Sequence, residues 1–146
     1  MRIRHAAAFA AAMLLSAPAV SYAQNDPFIG GDYVEVTGIS IDDGHYMDYA
    51  SFISHTAMKQ NAFMVSKGWS VSTEYLANVH PRKGEPDLYI VRRYKDIPDA
   101  AEGERRAAAL RDFMKMDDTQ SGAASAERAK YRHVDGTMLL QVMKPR

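Results

Sequence analysis

No cysteine occurs among the 146 residues. That absence excludes disulfide staples, thiolate nucleophiles and thiolate metal sites, so packing has to stabilise the fold. An excess of either charge is missing as well, because 18 Lys and Arg balance 18 Asp and Glu. A chain without a broad basic field does not neutralise a phosphate backbone, and nucleic acid is therefore no expected partner. There is no Gly-x-Ser-x-Gly elbow and no glycine loop of the phosphate-cradling kind, which leaves hydrolase and nucleotide-binding readings without support. His-x-x-x-His and Glu-x-x-His spacings are also lacking. Met47, Met58, Met64, Met114, Met116, Met138 and Met143 never form a Met-x-x-Met pair. Flexible core filling explains them better than Cu(I) does. Neither a metal site nor a cofactor is expected.

What is present begins with a leader. Arg2 and Arg4 precede the apolar run Ala6 to Leu15, and Ser21-Tyr22-Ala23 places small residues at −3 and −1 of a cleavage site. Residues 1–23 read as a signal peptide, which predicts a periplasmic or secreted protein. The apolar run is too short to span a bilayer comfortably, and no second one follows, so no membrane span is expected in the mature chain. Cleavage after Ala23 leaves 123 of the 146 residues, enough for one domain around one core. The leader takes two arginines with it, leaving 16 of the 18 basic residues against 18 acidic ones.

Residues 24–32, with Pro27, Gly30 and Gly31, read as an irregular lead-in to a domain over 33–146. The centre of that domain is a hairpin. Trp69 to Val79 and Asp87 to Tyr94 both read as strands, joined by His80-Pro-Arg-Lys-Gly-Glu-Pro86. Tyr33 to Ile41 is a β-branched first strand, and Thr137 to Met143 a last one. Asp42 and Asp43 are expected to cap a helix over Tyr46–Ser66, whose inward residues are Tyr49, Phe52, Ile53, Ala57, Phe63 and Met64. Lys67-Gly68 supplies its stop. Asp96-Ile-Pro-Asp99 announces a second helix over Ala100–Met116, with Ala107, Leu110, Phe113 and Met114 inward. Asp117 to Ala129 reads as a short extra helix or a bent continuation. The order β-α-β-β-α-β predicts an α+β fold of ferredoxin-like type, a four-stranded antiparallel sheet with helices on one face.

Strand alternation then divides the sheet. Val34, Val36, Val71, Tyr75, Leu88, Ile90, Met138, Leu140 and Val142 are expected under the helices. Tyr33, Glu35, Thr37, Ser72, Glu74, Leu76, Tyr89, Val91, Arg93, Leu139, Gln141 and Met143 are expected on the open face. That second set is too apolar for free solvent and too charged for a dry core.

Tyr33-Val-Glu-Val-Thr, Gly68-Trp69 and the run Asn78 to Tyr89 carry a resemblance, joined by Glu127 to Arg132 and by Met138 to Met143. The chain resembles the dimeric α/β-barrel superfamily, and within it small exported bacterial proteins of unassigned function. The resemblance implies that two ferredoxin-like subunits pair through their open sheet faces as a homodimer. It also implies a choice of chemistries, since the superfamily includes binding proteins and enzymes alike. Its haem-degrading members resemble a pattern with an asparagine on the first strand and a nearby histidine and tryptophan. Here that strand has no asparagine, Trp69 reads as a packing anchor and His55 as a partly exposed helical residue.

The expected site is accordingly the open face. Glu35 and Arg93 are expected to be neighbours there, with Tyr89, Gln141 and Glu74 beside them to hold a small-molecule ligand. The main expectation is a homodimeric binding or interaction module. The alternative is a monooxygenase- or isomerase-like enzyme acting on a small organic molecule, with Glu35 as catalytic general base. A structural Glu35–Arg93 ion pair sealing the dimer interface is the preferred reading over a ligand-binding or general-base role for Glu35.

Overall fold

The computed structural model describes residues 26–146, so the signal peptide expected over 1–23 lies outside the described residues. The described chain is α+β. Its elements are β1 (Phe28–Ile41), α1 (Tyr46–Phe52), a π-helical turn (Ile53–Ala57), α2 (Met58–Ser66), β2 (Ser72–Ala77), β3 (Leu88–Tyr94), α3 (Ala100–Met114), α4 (Asp118–Arg128) and β4 (Arg132–Pro145). The strands form one open sheet in the order β2-β3-β1-β4, and every neighbouring pair is antiparallel. None of the described helices is long and apolar enough to cross a membrane.

The segment from Tyr46 to Ser66 is one continuous helical rod, because Ile53 and Met58, where its parts meet, keep right-handed helical angles. The wider π turn shifts the phase of the side chains beyond it. Tyr49, Phe52 and Ile53 therefore pack on the sheet, whereas Phe63 meets Trp69 edge-on at 5.6 Å and stacks on Phe113 at 4.2 Å. Gly68, at φ 71°, turns the chain out of α2 where a Cβ would be strained. Asp99 caps α3 by accepting from the Glu102 amide at 2.8 Å. The extra helix is separate: Asp117 and Gln120 form a reciprocal capping box, so α4 starts at Asp118 after a left-handed turn at Lys115.

Three expectations need correction. Asp42 and Asp43 do not cap the first helix, which has His45 at its N-cap and no side-chain bond there. Asp42 instead accepts from His133 Nε2 at 2.9 Å, tying β1 to β4. The lead-in is not irregular throughout, because Phe28 to Asp32 belongs to β1. β4 is long enough to pair with it, Phe28 lying opposite Pro145 and Gly30 opposite Met143. The two glycines fall in a bulge that re-aims the strand rather than ending it.

The third correction concerns the faces. Ile39, Tyr49, Leu88 and Ile90 form the buried core, with Ile41, Phe52, Ile53, Tyr75 and Tyr131 against it. Cross-strand partners share a face, and Ile39 pairs with Leu88, Thr37 with Ile90 and Glu35 with Arg92. The odd-numbered β1 residues thus lie under the helices. Val34, Val36, Met138 and Leu140 lie on the open face, while Glu35, Thr37, Leu139 and Gln141 lie on the helix side. Tyr75, Leu88, Ile90, Glu74, Leu76, Tyr89, Val91 and Arg93 keep their expected faces. β1 and β4 are inverted because both faces are apolar, and counting valines picks the wrong one. A second bulge between Gly38 and Ile39 also moves the parity of β4, so Val134 and Thr137 share the helix side.

Candidate functional site

Glu35 and Arg92 meet at the centre of the helix-side face. The strand register puts them opposite each other on β1 and β3, and Thr73 of β2 lies on Arg92's other side. Arg92 Nη1 donates to Glu35 Oε1 at 2.7 Å, with side-chain exposures of only 26% and 28%. This pair stands between two cavities. Glu35 borders the larger and Arg92 the smaller.

The larger cavity has a volume of about 410 Å³ and lies between β1, β4, α2 and α3. Met64, Trp69, Ile97, Leu110 and Leu139 make it predominantly apolar. Gly103 and Ala107 leave room on the α3 side. Arg106 reaches over the Trp69 ring, 5.7 Å from its centroid, and is fixed by Glu102 Oε1 at 2.7 Å. The Arg106 and Arg105 guanidiniums hold the Glu102 carboxyl below its ordinary pKa. Tyr94 closes the cavity beside Glu35, and burial followed by the Glu35 charge pushes its hydroxyl pKa up. The phenol therefore remains a neutral donor at physiological pH.

The smaller cavity, about 220 Å³, lies between the sheet, the first helical rod and α4. Tyr49 and Tyr75 bring their hydroxyls to it, and Asn61 Nδ2 donates to the Tyr75 oxygen. Burial raises the Tyr49 pKa, against the opposing pull of Arg132, Arg128 and Arg92. Arg128 reaches in from α4, its guanidinium 3.9 Å from the Phe52 ring centroid.

No protein-family model matches this chain, and no curated protein does.

The expected open-face constellation is not assembled. Glu35 and Gln141 lie on the helix side, whereas Tyr89, Arg93 and Glu74 share the opposite face. Arg93 sits across from Val34 and Ser72, with Asp32 as its carboxylate neighbour at 3.9 Å. Gln141 Nε2 donates to the Gly31 carbonyl at 3.3 Å, in the bulge of β1. The partner of Glu35 is thus Arg92, one residue earlier than expected. Arg92 and Arg93 are adjacent on a strand, so one of them had to face the helices. Only the register decides which. His55 is exposed and bonded to its own helix through the Ser51 carbonyl, and Trp69 packs on Phe63. Arg106, Arg128 and Arg132 escaped sequence reasoning, because arginines on helices and edge strands look like solvated charges. Glu102, four residues before Arg106, was the available signal for a fixed guanidinium.

Proposed function

We propose that this protein is an exported homodimeric binding module, two copies pairing through their open sheet faces while each keeps its helix-side cavity for a small molecule. The strand order, read from β4 inwards as 4-1-3-2, supports a ferredoxin-like unit, and such units pair by their sheets in the dimeric α/β-barrel arrangement. One observation carries the reading. Val34, Val36, Val91, Leu76, Met138 and Leu140 are adjacent through the register on the face away from the helices. Leu140 is 49% exposed and Met138 56%. A contiguous apolar sheet face of this kind is what an interface between copies requires, and Glu74 and Arg93 supply charges for its rim. The 410 Å³ cavity has the size and apolar lining of a small-molecule site. The ligand class this favours is a small organic molecule with an apolar body. Glu35 borders that cavity with its carboxylate held by Arg92, which supports a structural role over that of a general base.

Leu140→Asp is expected to convert a dimer to monomer in analytical ultracentrifugation, since the new carboxylate would be buried without a partner. Leu139→Asp, on the helix side, is expected to lower stability instead. A wild-type chain that is monomeric at high protein concentration would overturn the pairing. Export has its own test: N-terminal sequencing of protein from the cell envelope should begin at Gln24, and an intact Met1 on a stable cytoplasmic protein would remove the periplasmic reading.

A further inference from the structure

We propose that the smaller cavity is an anion site, in which Arg92, Arg128 and Arg132 receive the carboxylate or phosphate group of a small oxyanion. The lining contains these three guanidiniums and no carboxylate among the described residues. Glu35 neutralises Arg92 from the far side of the pair. Among the described residues, Arg128 and Arg132 have no carboxylate partner within ion-pair distance. Arg128 and Arg132 are half-buried, and positive charge partly withdrawn from water without a counter-charge favours an anion from outside the chain.

A second observation points the same way. Arg132 Nε is buried and has no hydrogen-bond partner, although buried polar atoms nearly always have one. A guanidinium offers its donors as a planar fork that fits a carboxylate or a phosphate. Burial, and next the charge of Arg132, lower the Arg128 pKa, in keeping with two cations crowded together. The Tyr49 and Tyr75 hydroxyls add neutral donors, and Ile39, Phe52 and Val134 supply apolar walls for a short organic body. A volume of about 220 Å³ restricts the occupant to a small molecule. This site is separate from the apolar cavity, and its test depends neither on that cavity nor on dimerisation.

Inorganic phosphate and benzoate are the probes. Each is titrated into the mature chain at constant ionic strength in chloride, followed by thermal unfolding and by calorimetry. A saturable rise in melting temperature is expected with at least one of them. A response to phosphate alone assigns a phosphoryl-type ligand, one to benzoate alone assigns a carboxylate, and one to both assigns a general oxyanion site. Arg132→Gln and Arg128→Gln should each weaken binding about 10–100-fold, the range for losing a charged hydrogen bond. The unliganded Arg132→Gln variant should melt no lower than wild type, because removing one of two crowded cations relieves repulsion, whereas Arg128→Gln also gives up its contact with the Phe52 ring and is read by its affinity alone. Arg132→Lys, which keeps the charge without the fork, should recover only part of the affinity, and Arg82→Gln, in the exposed hairpin loop, should leave it unchanged. No saturable response to either probe would overturn the site, as would binding undiminished in both glutamine variants. An Arg132→Gln variant that loses stability or fails to fold would show that arginine to be structural and overturn the site equally.

Discussion

Arg92→Met is expected to destabilise the protein by about 1–3 kcal/mol, and adding Glu35→Leu should return much of that loss. Exposed ion pairs contribute about 0–1 kcal/mol, whereas breaking a buried one costs about 3–5. The Glu35 and Arg92 side chains are 28% and 26% exposed, which places them between those limits. The larger part of the loss comes from leaving Glu35 beside the apolar cavity without its counter-charge. Leucine in its place removes that charge and extends the apolar lining already formed by Leu139 and Leu110. Lys83→Met is the control. It is exposed in the hairpin loop and has no carboxylate partner within ion-pair distance among the described residues, so its change should stay within about 0.5 kcal/mol. A double-mutant cycle by urea unfolding measures the coupling, at fixed protein concentration because association adds to apparent stability. Coupling near zero, with Arg92→Met as stable as wild type, would remove the structural role and leave Glu35 available to a ligand or a proton.

The difference between Arg92 and Arg93 shows where sequence reasoning stopped. Element types were legible because their signals are local. The β-branched run from Tyr33, the proline-bounded hairpin loop, the Asp99 cap and Gly68 all act within a few residues of the structure they cause. The inward residues of the helices were legible for the same reason: Tyr49, Phe52 and Ile53 recur at helical spacing and reach the core. The orientation of β1 was not local. Val34 and Val36 look more like core than Glu35 and Thr37 do, until the register pairs Glu35 with Arg92 and Thr37 with Ile90. A charged residue can face the helices when its counter-charge comes from another strand, and nothing near Glu35 announces that partner. The error then propagated, because the expected site was assembled from residues on opposite faces. Both cavities were likewise out of reach, since each is lined by at least four elements distant in sequence. The capping box at Asp117 and Gln120 was within reach: its spacing is visible in the chain and sets the start of α4.

Stability should fall steeply above about pH 10, the ordinary tyrosine range. Tyr49, Tyr75 and Tyr94 all have raised hydroxyl pKa values, and burial is the first cause for each. The unfolded chain gives up its tyrosine protons near about pH 10, while the folded chain still holds them. Between those two pKa values the native state binds more protons than the unfolded state. The stabilisation is therefore complete below the unfolded pKa and lost as pH rises towards the folded one. A proton fully retained on folding corresponds to about 1.4 kcal/mol per pH unit. Tyr49, at 3% exposure, should approach that slope, and the half-buried Tyr75 and Tyr94 should contribute less because solvent screens them. Arg132, Arg128 and Arg92 favour the Tyr49 phenolate and so limit how far its pKa rises, but burial outweighs them. Tyr49→Phe isolates the effect. The variant has no hydroxyl to titrate, so its stability should decline more gently above about pH 10, by up to about 1.4 kcal/mol per unit. Urea unfolding of the two proteins side by side removes the common contribution of the lysines, which titrate in the same range. Parallel slopes would mean that Tyr49 ionises in the folded protein as readily as in the unfolded one, and that its hydroxyl is open to water in the smaller cavity.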